Sequence, residues 1–170
     1  MLGLGYATLE PTKGTEAMKI ADVSGVRVAG LLFEAGTENS ETLLRVGEDN
    51  ASTEHADNPV VLSDLFFRVG GANHTEKVSC DTCVMINSDD VIGDNFWVWR
   101  ADHGWDASVG WDENICYNGL IVNGDDVTIY ALMVEHFEEY QTIWNGNGGK
   151  TYFYQSEMPY DVPSAEEYMS

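Results

Sequence analysis

The sequence predicts an all-β chain wound as a parallel β-helix, a single-stranded solenoid. Three observations lead there. The phrase Ile86-Asn-Ser-Asp-Asp-Val91 recurs as Val122-Asn-Gly-Asp-Asp-Val127 at an offset of 36, and more loosely as Trp144-Asn-Gly-Asn-Gly-Gly149 a further 22 residues on. Runs rich in β-branched and aromatic residues follow each phrase, and no stretch shows a sustained 3.6-residue period. Offsets of about 20 to 40 residues built from short strands are those of stacked coils, with unequal values absorbed by loops of different length.

The elements follow in order. Residues 17–36 alternate apolar with polar or small side chains in two runs, which reads as strand, turn, strand. Residues 37–58 are polar and read as an inserted loop, with Leu43, Leu44 and Val46 as one strand inside it. Val60 to Val69 is a β-rich run closed by Gly70 and Gly71, and a second loop covers 72–81. Cys83 to Gly104 carries the first copy of the repeated phrase, and 105–118, with Trp105, Trp111 and Tyr117, forms a third loop. Gly119 to Asp161 holds the other two copies. Met133 to Tyr140 is assigned to strand, because the repeat demands it there. The polar end, from Val162 on, reads as an exposed tail. All 170 residues are expected in one domain, part of a longer solenoid, since the opening MLGLGYATLEP resembles the middle of one and has no signal-peptide pattern.

Charge narrows the partners. Eight basic residues against 29 acidic ones give a formal charge of −21, and the second half (86–170) alone carries 2 basic and 16 acidic groups. Nucleic acid and anionic membrane are poor partners for such a surface, because phosphate contacts need Lys and Arg. Neutral sugars, cations or a basic protein suit it. No apolar run is long enough to span a bilayer. The sequons Asn50-Ala-Ser52 and Asn73-His-Thr75 agree with secretion, and secretion is the expected localisation. Cys80 and Cys116 share the offset of 36 and so belong on adjacent coils, where a disulfide is expected with Cys83 left over.

The repeated phrase brings like side chains together. Asn87, Asn123 and Asn145 fall at one point of three coils and are expected to form a hydrogen-bonded amide ladder. Asp89, Asp90, Asp125 and Asp126 also stack, either capping turns or sharing a calcium ion; the turn role is the favoured one, and no other cofactor is expected. Asp102 and His103 read as hydrogen-bonding partners at a turn. Glu135 and Glu157, 22 residues apart, lie one coil apart, which sets two carboxylates on adjacent strands about 4.8 Å apart.

The pattern Glu135-His136, then Gln155-x-Glu157-x-Pro159-Tyr160 one coil later, resembles glycoside hydrolase family 55. The longer stretch from WVWRADHG to YFYQSEMPYD is similar to pectin-lyase-like secreted bacterial proteins. The resemblance implies a right-handed parallel β-helix and an inverting β-1,3-glucanase reaction, with Glu157 as general acid and Glu135 holding the water. Substrate contacts are then expected from Trp144, Gln155, Tyr160, His136 and Arg100. Family 55 enzymes pair two β-helical modules, so this chain would hold at most half of such a site, and other β-helical segments are expected partners. The alternative is a non-catalytic module that binds polysaccharide or builds an extracellular assembly.

Overall fold

The computed structural model describes residues 1–72, 76–105 and 108–168. Eleven strands run β1 Leu2–Leu9, β2 Met18–Ile20, β3 Arg27–Glu34, β4 Ser40–Val46, β5 Val61–Val69, β6 Cys80–Ile86, β7 Ile92–Arg100, β8 Asn118–Val122, β9 Thr128–Glu135, β10 Tyr140–Trp144 and β11 Lys150–Glu157. Odd-numbered strands form one sheet, in the order β1-β3-β5-β7-β9-β11, and even-numbered strands form a second, β10-β8-β6-β4-β2. Every pairing is parallel. A chain that alternates between two parallel sheets and advances one strand each time is a parallel β-helix, as expected. The 36-residue offset is one coil, pairing Ile86 with Val122, and the 22-residue offset is the next, pairing Val122 with Trp144.

The core lies between the sheets. Leu62, Leu65, Phe67, Phe96, Val98, Ile129, Leu132 and Val134 face Leu44, Val46, Val84, Ile86, Leu120 and Val122, all buried. Phe33 and Phe67 stack at 4.8 Å, and Phe96 meets Phe67 edge-on at 6.3 Å. Burial of one such side chain stabilises by roughly 1.5–3 kcal/mol, so the stacked apolar rows drive the winding.

One row departs from the period-two pattern. Gly30, Asp64, Asn95, Ala131 and Phe153 all have φ between 51° and 68° and sit between register partners of successive strands. A left-handed residue in each coil bends every odd strand at the same height. Inward residues flanking it are therefore three apart, as with Leu62 and Leu65 or Ile129 and Leu132. The six-stranded sheet folds along this row into two faces. Asn95 donates to Asp64 Oδ1 at 2.7 Å along it, and Asn and Asp tolerate this conformation better than most residues.

The turn between even and odd strands is held by the repeated phrase. Asn145 Nδ2 donates to Asn123 Oδ1 at 2.8 Å, Asn123 Nδ2 to Asn87 Oδ1 at 2.8 Å, and Asn87 Nδ2 to Gly47 O at 3.4 Å. Asp89 Oδ1 accepts the Asp125 backbone N–H at 2.7 Å, and Asp125 Oδ1 accepts that of Asn147 at 2.6 Å. The aspartates thus cap the turn of the coil that follows. At the same corner, on the earlier coils, His55, 2% exposed, joins Ser24 and Asp22 at 2.8 Å each, and Ser88 donates to Asp22 at 2.8 Å. Burial opposes ionisation of Asp22, but its bonds to His55, Ser88 and Thr53 hold its carboxyl well below the usual range.

Several expectations need correction. The strand expected at Leu43, Leu44 and Val46 is present as β4, but it starts earlier, at Ser40, and exposes only Glu41, with Ser40, Thr42 and Arg45 buried. Strand does not continue through Met133 to Tyr140: β9 stops at Glu135, His136 turns with φ of 70°, and β10 begins at Tyr140. The amide ladder forms as expected, with Asn87 its buried member and Asn123 and Asn145 exposed. The Cys80–Cys116 disulfide is not formed: the sulfurs are 3.4 Å apart, and Cys83 lies 4.0 Å from both. The sequon at Asn73 lies outside the described residues. Replacing Asn87 with Ala removes a buried amide together with its bonds to Gly47 O and Asn123, and is expected to cost about 1–3 kcal/mol, whereas Asn145→Ala, at the exposed end of the ladder, should stay within about 0.5 kcal/mol. Urea denaturation midpoints of the two variants check this.

Candidate active site

Past the left-handed row, the odd strands present their outward side chains as two parallel rows. Register places Phe66, Trp97, Met133 and Gln155 in one row, and Arg68, Trp99, Glu135 and Glu157 in the other. Strand alternation sends these residues outward, because Phe67, Val98 and Val134 fill the core between them. At the N-terminal end of the rows Tyr6, Leu32, Phe66, Arg68, Trp97 and Trp99 line a cleft of about 300 Å³. Trp97 and Trp99 stack in it at 5.1 Å, and Arg68 pairs with Glu34. At the C-terminal end stand the two glutamates.

Glu135 and Glu157 are direct register partners, the last residues of β9 and β11. Their side chains are held by different partners. Trp97 Nε1–H donates to Glu135 Oε2 at 2.9 Å, pulling it toward the preceding coil. Gln155 Nε2 donates to Glu157 Oε1 at 3.0 Å, and the Tyr160 hydroxyl donates to Oε2 from the chain segment beyond β11. The bond to Glu157 raises the Tyr160 phenol above its ordinary value, with nearby carboxylates adding to it.

His136 is enclosed, at 3% exposure, and fixed from several sides. Its N–H donates to Glu157 O at 2.9 Å, and its Nδ1 donates to Met158 O at 2.9 Å. Its ring lies 4.7 Å from that of Tyr160. Since a carbonyl only accepts, Nδ1 carries a proton, and Nε2 faces Asp102 Oδ1 at 3.6 Å and Glu157 Oε2 at 3.9 Å. Asp102 is partly desolvated, yet its bond from His103 Nδ1 at 2.8 Å and the nearby His136 keep its carboxyl below the usual range.

Two residues expected to touch substrate do not lie at this surface. Arg100 is fully buried. Its Nε donates to Asn114 O at 3.0 Å, its Nη1 to His136 O at 3.3 Å, its Nη2 to Gly110 O at 2.9 Å, and it grips both Asp161 oxygens at 3.1 and 3.0 Å. With its donors engaged, Arg100 ties the His136 turn, the 110–114 loop and the segment after β11 together. Trp144 ends β10 on the other sheet, opposite Val122, and packs against the core. The structure brings together Glu135, His136, Gln155, Glu157 and Tyr160. Asp102 does bond to His103 as expected, and the structure also sets it against His136; Trp97 joins the site through Glu135. The offset of 36 leads from Glu135 to Trp99 and from Met133 to Trp97, whereas no repeat marks Asp102.

The model of the LAM55 pectate lyase-like domain matches residues 1–157, and the chain belongs to that family. It is 51% identical over 162 residues to an exo-β-1,3-glucanase from Streptomyces sp. (strain SirexAA-E / ActE), covering 95% of this chain and 26% of that protein. It is 26% identical over 176 residues to the Non-secreted LysM effector LysM15 of Penicillium expansum, covering 92% of this chain and 12% of that protein. Among solved structures it resembles sacteLam55A from Streptomyces sp. SirexAA-E, with a TM-score of 0.93 and 50% identity, over 98% of this chain and 29% of that one. A variant of sacteLam55A in complex with glucose matches with a TM-score of 0.93 at 49% identity. The chain thus spans about a quarter of the glucanase it matches.

Beside Arg100, Glu138 is nearly enclosed, with a side chain 9% exposed and Oε1 3.3 Å from Nη2. Burial pushes its carboxyl up to about 7; Arg100 works against this, while Asp161, Asp112 and Glu139 add to it. A folded-state value above the unfolded one means stability present at low pH and lost as pH rises through about 7. Relative to Glu138→Gln, the wild-type chain should lose about 1–2 kcal/mol between pH 5 and pH 8, after allowance for screening by water. Paired denaturation curves at the two pH values measure it.

Proposed function

We propose that this chain supplies the carboxylate wall of a site that cleaves a β-1,3-glucan by an inverting, two-carboxylate reaction. The observation that carries the reading is the register pairing of Glu135 with Glu157 beside Trp97 and Tyr160. The glucanase name of the Streptomyces relative and the glucose bound to a variant of its solved counterpart support the substrate class. Glu157 is the general acid. It passes its proton to the glycosidic oxygen as the bond to the anomeric carbon breaks, and the leaving sugar departs as an alcohol. Glu135 holds a water on the opposite face and takes its proton as the water attacks.

Spacing tests the idea. Inverting enzymes keep the two carboxyl groups roughly 6.5–9.5 Å apart, while ladder neighbours have backbones about 4.8 Å apart. The opposed pulls of Trp97 on Glu135 and Tyr160 on Glu157 favour the wider separation. Gln155 and Tyr160 orient the acid and offer polar contacts to a sugar, and the Trp97 ring suits its C–H face. His136 supports both from behind. A polymer substrate of this kind places the site of action outside the cell, so we infer secretion. Further β-helical coils are the expected neighbours, since apolar side chains such as Leu4, Phe153 and Tyr152 stand exposed on edge strands β1 and β11.

The test is release of reducing ends from β-1,3-glucan, with β-1,4-glucan as the control polymer. Glu157→Gln should lower turnover by about 10²–10⁴-fold while leaving glucan binding and the melting temperature nearly unchanged. Full activity in that variant removes Glu157 from the mechanism. Binding without cleavage by the unaltered protein favours the non-catalytic module. Trp97→Ala should weaken glucan binding by about tenfold, corresponding to roughly 1.4 kcal/mol of lost aromatic contact.

A further inference from the structure

Away from the glutamates, at the start of β6, three thiols converge. Cys80 opens β6, Cys83 lies three residues further along it, and Cys116 precedes β8, the strand paired with β6. The Cys80 backbone N–H donates to Ile115 O at 3.2 Å, which fixes Cys116 beside Cys80. All three side chains are fully buried. Their sulfurs form a triangle of sides 3.4, 4.0 and 4.0 Å. Among the described residues this is the only grouping of three Cys, His, Asp or Glu side chains placed to hold a metal ion.

We propose that Cys80, Cys83 and Cys116 form a three-thiolate site for one thiophilic d¹⁰ cation. The size of the triangle carries the inference. A triangle with those sides has its centre about 2.2 Å from each corner, close to the roughly 2.3 Å of a zinc–thiolate bond. A slightly longer bond is met by raising the ion a little out of the sulfur plane, so a cation of the zinc and cadmium class fits without moving a side chain. A disulfide, in contrast, needs two sulfurs to close to about 2.05 Å, more than an ångström from the arrangement seen. Three thiolate sulfurs with no carboxylate among them select soft cations over magnesium or calcium.

The surroundings explain how the site stays available. Burial pushes all three thiols well above their ordinary values, with mutual contacts between them acting in both directions. A protonated thiol neither oxidises nor attacks a disulfide readily, since the thiolate is the reactive species. The negative charge of Asp81, which also opposes ionisation of Cys80, favours a cation in the same place. Binding exchanges three S–H bonds for three S–metal bonds and sends three protons to solvent. A divalent ion leaves a net charge of −1 on the site, less than three bare thiolates would carry.

The probe is Cd²⁺ alone, added to the reduced chain at equilibrium and, separately, during refolding from urea so that burial cannot block entry. The expected result is one Cd²⁺ per chain, an ultraviolet thiolate-to-cadmium band, release of three protons, and a raised melting temperature. Cys83→Ala keeps the fold, loses the three-sulfur band and weakens binding at least tenfold. Calcium and magnesium leave the melting temperature unchanged. The proposal is overturned if no band forms even on refolding, if Cys83→Ala binds as tightly as the unaltered chain, or if the reduced chain reoxidises to a Cys80–Cys116 disulfide in the presence of the metal.

Discussion

Everything in this molecule depends on the in-register parallel ladder between coils. Backbone hydrogen bonds fix each strand level with its neighbour, so a difference in sequence number becomes a contact in space. Trp99, Glu135 and Glu157 are 36 and 22 residues apart in sequence and side by side in the sheet. The apolar rows inside the coil supply the driving force. The ladder decides which polar groups meet outside it.

That constraint explains why the glutamate pair was legible. Once Val122 and Trp144 are recognised as equivalent, the offset of 22 carries Glu135 onto Glu157 with no further assumption. The same equivalence held a warning that Trp144 occupies a core position, because its partner Val122 is buried. Arg100 was misread for a related reason. It follows Trp99, whose side chain points outward, so alternation sends the guanidinium into the interior. There Asp161, from a segment with no repeat signal, meets it. Cation chemistry suggested a ligand contact, while the strand period required a structural one.

The bend in the six-stranded sheet was hidden for a different reason. Its left-handed row is occupied by Gly, Asp, Asn, Ala and Phe, so no single residue type repeats. Glycine, aspartate and asparagine reach this conformation at little cost. Ala131 and Phe153 are held there by neighbours on the same ladder. Tertiary register overrides local preference at those two positions. The bend in turn separates the glutamate rows from the first half of each odd strand and turns a flat sheet into two faces, one of which carries the site.

The asparagine ladder has a direction as well as a register. Each amide nitrogen points to the coil before it, from Asn145 to Asn123, from Asn123 to Asn87, and from Asn87 to the Gly47 carbonyl. The amide dipoles therefore add head to tail, and every oxygen is presented to the coil that comes after. Such a column is a one-way template. A new coil can join at its C-terminal side by donating to an acceptor already oriented, whereas joining at the other side requires a partner that accepts. Winding in the order of synthesis meets the first condition at every step, so the column suits assembly that follows the growing chain.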